Sequence, residues 1–204
     1  MPTPRELLGR RNPEIWLVTA AGEESTANSE VGLCGMIATA VTSVSIVPDE
    51  PRIILGVSKQ HATWRAIRAT RRFALHLLDE ANIELVWRFG LQSSRNTNKL
   101  AGLPNQRISA ADGSSGYVVI PECLAWLGCR VETDWDIGDR TIFLAEVTGG
   151  AELRSSDSPL CMRRLAEIGD PRKLQELREQ TAQQAEADRT AIHAWRKLPE
   201  NSGR

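Results

Sequence analysis

Two extended runs, residues 123–135 and 140–153, flank the pair Gly138-Asp139, and this pattern constrains the fold more than any other stretch. Strand-forming runs joined across a Gly-Asp pair read as a β-hairpin, and both runs exceed ordinary strand length. Further strands follow from composition. Residues 14–20 (EIWLVTA) are β-branched and aromatic. Residues 34–46 are small, apolar or hydroxylated, with Thr39, Thr42, Ser43 and Ser45 in a near-alternating row. Pro48-Asp49-Glu50-Pro51 marks a turn. Residues 52–57 (RIILGV) are apolar without alternation, which predicts burial on both faces. Residues 73–78 form another strand.

Helices are predicted over 62–70, with Trp64, Ile67 and Arg68 at helical spacing, and from a cap at Asp79 to residue 89, with Ile83, Val86 and Trp87 on one face. Residues 159–168 and 171–197 read as helices, each with Pro in its first turn. Residues 21–30 read as a loop, and 92–116 as a long one. Strands do not alternate regularly with helices, so a doubly wound parallel sheet is excluded. The reading is a mainly β domain over residues 1–157, with a C-terminal helical extension over 158–204. In that extension Leu174, Leu177, Ile192 and Trp195 are apolar, but Thr181, Gln184 and Asp188 interrupt the stripe. The expectation is a mostly solvated helix that packs only at its ends, with a role in a dimer or in covering the active site as the functional alternative.

The net charge of -1 offers no electrostatic footprint for nucleic acid or an anionic membrane. No apolar segment follows Met1–Glu6 as in a signal peptide, and the run 35–47 is too short and polar to span a bilayer. The reading is a cytoplasmic protein. Cys34, Cys123, Cys129 and Cys161 form no CxxC pair, so buried reduced thiols are expected and no metal site.

No GxSxG, HExxH, GxxxxGK[ST] or GxGxxG motif is present. His76 lies inside an apolar strand and reads as a hydrogen-bonded core or interface residue; His193 reads as solvated. With so few catalytic side chains, chemistry would fall to a cofactor. The informative stretch is 35–45, followed by Pro51, RIILGV and Ser58-Lys59-Gln60-His61-Ala62-Thr63. Small Ala38 and Ala40 permit a flat ring to approach the backbone, and hydroxyls suit a ribityl chain. A helix start after Ser58 offers N–H donors to a phosphate. A half-exposed strand followed by an ordinary capped helix accounts for the same residues equally well.

The order of these pieces resembles the flavin reductase-like, FMN-binding split-barrel family, which includes reductase components of two-component hydroxylases. The pieces are Val18-Thr19, Gly35-Met36 through Ser43-Val44-Ser45, Pro51, Ser58 with Thr63, and residues 73–78. Trp87-Arg88-Phe89, Lys99, Cys129-Arg130-Val131 and Gly138-Asp139 follow in order. Ile37 stands where the family usually has Thr, and Arg140 where it has a His near the nicotinamide side. Asp49-Glu50 lengthen the turn before Pro51, and the tail after Asp157 has no counterpart in short members.

The resemblance implies a Greek-key split β-barrel. It implies a flavin ring on Ile37, Ala38, Thr39 and Ala40, and a ribityl path along Thr42 and Ser43. Ser58, Lys59, His61 and Thr63 would face the phosphate, with Lys99 adding a cation or closing over it. Trp64 and Trp87 are candidates to lie near the ring. The implied cofactor is FMN, with FAD as alternative, and NAD(P)H is the co-substrate that passes a hydride to flavin. The implied assembly is a homodimer with a flavin-dependent monooxygenase as partner. A flavin carrier without reductase turnover is the alternative. A flavoenzyme acting directly on a small organic substrate, its pocket built by 92–116, is a third reading.

Overall fold

The computed structural model describes residues 3–22, 32–92, 98–110, 116–155 and 158–199. In chain order the elements are α1 (Pro4–Leu8), β1 (Trp16–Ala21), β2 (Leu33–Ala38), β3 (Val41–Ser43), β4 (Arg52–Ser58), α2 (Ala62–Thr70) and β5 (Arg72–Leu77). A 3-10 turn (Glu80–Asn82), α3 (Ile83–Leu91), β6 (Gln106–Ile108), β7 (Tyr117–Val119), β8 (Ala125–Asp136), β9 (Arg140–Glu152), α4 (Met162–Ile168) and α5 (Pro171–Arg196) follow.

The long hairpin is the spine. β8 and β9 pair antiparallel from Ala125↔Glu152 to Asp136↔Thr141. The register shifts at Thr148 and at Glu132 leave an extra residue in each strand, and such bulges bend and twist a ribbon. Curvature lets this ribbon serve both halves of a seven-stranded sheet of order β2-β1-β5-β8-β9-β4-β3. β2 and β3 are neighbours in sequence yet occupy opposite edges. The sheet therefore curls until its edges meet at the corner Thr39-Ala40.

That corner corrects the single strand expected over 34–46. β2 pairs with β1 and β3 pairs with β4, so the chain changes partner at residues 39–40. Ala40 O accepts a hydrogen bond from Gly56 N (2.9 Å), and a Cβ on Gly56 would lie 3.2 Å from that of Ala40. Glycine in β4 and alanine at the corner thus allow the close approach. In β4 burial holds from Leu55 to Ser58, while Ile54 is half-buried and Arg52 exposed.

Residues 106–108 are a strand rather than loop, and 117–119 pair with them as a two-stranded ribbon. Three-residue strands are too short to show a period of two. Positions 93–97 and 111–115 of the expected long loop lie outside the described residues, as do 23–31 and the boundary at residue 157. α4 begins at Met162, with Cys161 as its N-cap, so Pro159 precedes it instead of sitting in its first turn. Leu160 is still extended there: it accepts from Ile15 N and donates to Leu78 O. α5 does begin with Pro171, behind an Asp170 cap whose carboxylate accepts from Arg172 N (2.9 Å) and Lys173 N (3.0 Å).

One core fills the barrel, with Val18, Leu55, Val57, Ile67, Phe73, Leu75 and Phe143 fully or almost fully buried. A second lies between the sheet and α3 and α4, around Leu17, Trp87, Phe89, Leu100, Ile120 and Leu165. His76 sits in the wall between strands and is fully buried. Ile120 N donates to its Nε2 (3.1 Å), so Nδ1 carries the proton and donates to Leu17 O (3.1 Å). Burial, only partly countered by the Leu17 bond, pushes its pKa down to about 4. No helix among the described residues is long and apolar enough to cross a membrane.

Candidate functional site

The corner Thr39-Ala40 and the N-terminus of α2 are brought together by β4. β3 runs beside β4 in the register Val41↔Leu55 to Ser43↔Ile53, and β4 ends at Ser58, directly before α2. Ile37 is half-buried and Ala38 buried, at the end of β2. Thr39 is half-buried, and Ala40, Thr42 and Ser43 are exposed. Small and hydroxylated side chains thus line an accessible bend that runs towards a helix start.

The helix start is built by a turn. Ser58 is 5% exposed; its carbonyl accepts from His61 N (3.1 Å), and its hydroxyl accepts from Gln60 N (3.4 Å). His61 is the N-cap, in extended conformation and without a side-chain capping bond. Lys59 N donates to Asp139 O (3.1 Å), and its ammonium reaches both carboxylate oxygens of Asp136 (2.6 and 2.5 Å). That pair is partly solvated and contributes at most about 1 kcal/mol, so another anion can exchange for Asp136. Burial alone would raise the Asp136 pKa, but bonds from Lys59 and Gly138 N outweigh it and hold the carboxyl below the usual range.

Thr63, in the first turn of α2, is 1% exposed. Its hydroxyl has no well-aligned hydrogen-bond partner among the described residues and neighbours the Cys34 thiol, whose pKa burial pushes up to about 11. Trp64 turns the other way: its indole N–H donates to the buried Thr141 hydroxyl (2.8 Å) and ties α2 to β9. Trp87 lies in the second core, under the ammonium of Lys173. Neither tryptophan is free to stack over the corner.

Lys99 is buried between β2 and α3. It is 3% exposed, and its ammonium donates to Phe89 O (2.9 Å) and Gly35 O (3.3 Å). Burial pushes its pKa down to about 8. It pins β2 to the last turn of α3, where helix carbonyls lack partners, and its charge is felt by the Cys34 thiol that neighbours Thr63 of α2.

Sequence reasoning missed a charged network around that helix start. Ser58 faces Arg140 across β4 and β9. Arg140 Nε meets the Asp139 carboxylate at 2.6 Å, and its terminal nitrogen lies 3.6 Å from Asp188 of α5. Gln60 donates to Asp188 at 2.9 Å. Burial, and then the charge of Asp139, push the Asp188 carboxyl above the usual range against Gln60, Arg140 and the Gln184 side chain. Gly-Asp-Arg at the hairpin turn was visible in the sequence. Nothing in it placed Asp188 there, because residue 188 interrupts an apolar stripe on a polar helix.

A bend of small side chains leading to an N–H-rich helix start with a nearby ammonium can accept a flat ring that carries an anionic tail. A family model described as Flavin reductase like domain matches residues 9–168. The chain belongs to the flavin reductase-like family.

Members give scale to the likeness. The high molecular weight rubredoxin of Moorella thermoacetica is 32% identical over 113 residues, which is 55% of this chain and 48% of that protein. The chain thus spans about half the length of that relative. The reductase subunit HsaB of a Mycobacterium tuberculosis flavin-dependent monooxygenase is 26% identical over 151 residues, 74% of this chain and 72% of that one. The crystal structure of a flavin reductase domain protein from Arthrobacter sp. FB24 superposes with a TM-score of 0.63 at 21% identity, covering 78% of this chain and 89% of that chain. At that identity the likeness is one of fold. The family match ends on the last residue of α4, so α5 lies outside the matched residues.

Proposed function

We propose that this flavin reductase-like chain binds FMN at the corner of residues 37–43 and the start of α2, and reduces flavin with NAD(P)H. The observation that carries the reading is the corner itself: Thr39-Ala40 cross from one sheet edge to the other beside the turn Ser58–His61. The Thr63 hydroxyl, whose polar neighbour is the Cys34 thiol, and the loosely held Lys59 ammonium are the donor chemistry that a flavin mononucleotide suits.

FMN, when bound, supplies the ring that accepts a hydride. The chain's own residues bind and orient it. Ile37, Ala38, Thr39 and Ala40 present a backbone edge that bulky side chains would obstruct. Thr42 and Ser43 offer hydroxyls to a polyol. Ser58, Lys59, His61 and the first N–H groups of α2 balance a phosphate. No side chain in this cradle has to act as acid or base, because preorganised donors can stabilise negative charge that grows on a reduced ring.

The homodimer, the cytoplasm and a flavin-dependent monooxygenase partner complete the proposal. The name of the HsaB relative supports the partner, and the intracellular character of NAD(P)H supports the location. A flavin carrier without nicotinamide turnover is the second reading, favoured by Arg140, whose guanidinium is committed to Asp139 and Asp188.

The deciding experiment is the visible spectrum of protein incubated with FMN, followed by NAD(P)H oxidation under steady-state conditions. The proposal expects a bound-flavin spectrum and turnover above that of free FMN. A bound flavin that dithionite reduces and NAD(P)H does not selects the carrier. Protein that neither shifts the spectrum nor quenches flavin fluorescence refutes both.

A further inference from the structure

α5 is an unusual helix to find docked on a barrel. It is 26 residues long, about 39 Å, and its one buried residue is Asp188, a carboxylate. Leu174 and Leu177 rest half-buried against the second core near its start, and Ile192 and Trp195 lie over Gly138 near its end. Its middle is held by Asp188 on Gln60 and Arg140. A buried carboxylate is costly unless its partners offset the desolvation, so a helix with a purely structural task would bury an apolar side chain here. The partners themselves are informative. Gln60 directly precedes the N-cap of α2, and Arg140 faces Ser58 across the sheet.

We propose that α5 is a displaceable cover over the start of α2, in which Asp188 stands where the phosphate of a bound nucleotide would go. The inference rests on the flavin reading above and adds a regulation of that site. With α5 docked, Asp188 adds a carboxylate to the group formed by Asp136, Asp139, Lys59, Arg68 and Arg140. A phosphate added there is repelled by Asp188 until the helix withdraws. Withdrawal also releases Arg140 and Gln60 to the incoming anion. Phosphate binding and α5 docking are therefore mutually exclusive, and each lowers the apparent affinity of the other by the same factor. Riboflavin, which lacks the phosphate, leaves α5 in place.

The test uses the full chain and the Asp188→Asn variant, which keeps the shape and the Gln60 contact but removes the charge. FMN and riboflavin are titrated by fluorescence quenching. The cover predicts about tenfold tighter FMN binding by the variant and unchanged riboflavin binding. Limited trypsin cleavage after Arg189 in the wild-type chain then reports the helix directly. FMN accelerates that cleavage and riboflavin does not. An FMN-to-riboflavin affinity ratio equal in both proteins overturns the cover, as does protection of Arg189 by FMN. An affinity gain without FMN-dependent cleavage marks a plain charge effect and also overturns it. If the variant does not fold, wild-type cleavage alone decides. Failure of both flavins to bind either protein instead overturns the flavin reading, and the cover falls with it.

Discussion

Acid destabilisation through His76 can be worked out from the structure. The folded chain buries the imidazole completely and holds it neutral, with a pKa of about 4 against an ordinary 6.5. The unfolded chain takes up a proton near the ordinary value. Between the two, the unfolded state binds more protons, so stability present above about pH 6.5 is lost as the pH falls through the folded pKa. From about pH 7.5 to about pH 5 the loss from this one group is about 2 kcal/mol. Other groups titrate too, the carboxylates among them. The comparison is therefore a difference between the wild type and His76→Gln, whose amide cannot titrate. The variant starts about 1–3 kcal/mol less stable at neutral pH, because the Leu17 carbonyl or the Ile120 N–H loses its partner. Urea unfolding followed by circular dichroism at both pH values gives the four free energies needed. The gap between the two proteins should narrow by about 2 kcal/mol on acidification. A gap independent of pH would show that His76 is not held neutral by burial, and the reasoning would fail.

Three further outcomes follow from other contacts. Lys59→Ala should weaken FMN binding about tenfold in a fluorescence titration while changing stability by less than about 1 kcal/mol, since its pair with Asp136 is partly solvated; unchanged affinity would remove Lys59 from the phosphate subsite. Gly138→Ala should cost about 1–2 kcal/mol and loosen the end of α5 in hydrogen exchange, because φ is +100° and the new Cβ would stand 3.0 Å from Ile192 Cα and Trp195 Cβ; protection of α5 equal to wild type would refute that contact. Trp64→Phe should cost about 1–3 kcal/mol in urea unfolding by leaving the buried Thr141 hydroxyl without its donor, and a neutral effect would count against the bond.

The hairpin, the helix over 62–70 and the buried role of His76 were legible because each rests on a local pattern: two strand runs across Gly-Asp, a helical period, one polar residue in an apolar run. The corner at Thr39-Ala40 was not. Residues 34–46 keep one composition throughout, and the partner change there is imposed by two different strands that lie far away in sequence. β6 and β7 were too short to carry a period. For the candidate site, the small residues at 38–40 and the segment Ser58–His61 stand out by composition, and β4 brings them together. Lys99 was placed by resemblance, and its burial on two backbone carbonyls reflects the approach of α3 to β2, which no spacing in the chain encodes. The Asp139–Arg140–Asp188 network joins elements that meet only in three dimensions.

The two edges of the curled sheet are joined by a link of just two residues, Thr39 and Ala40. Opening the barrel along that seam means straining this link, so the seam and the ligand cradle share a single mechanical degree of freedom. A molecule clamped at the link would be felt by every strand at once, and occupancy should register as a rise in the melting temperature of the whole barrel rather than as local ordering.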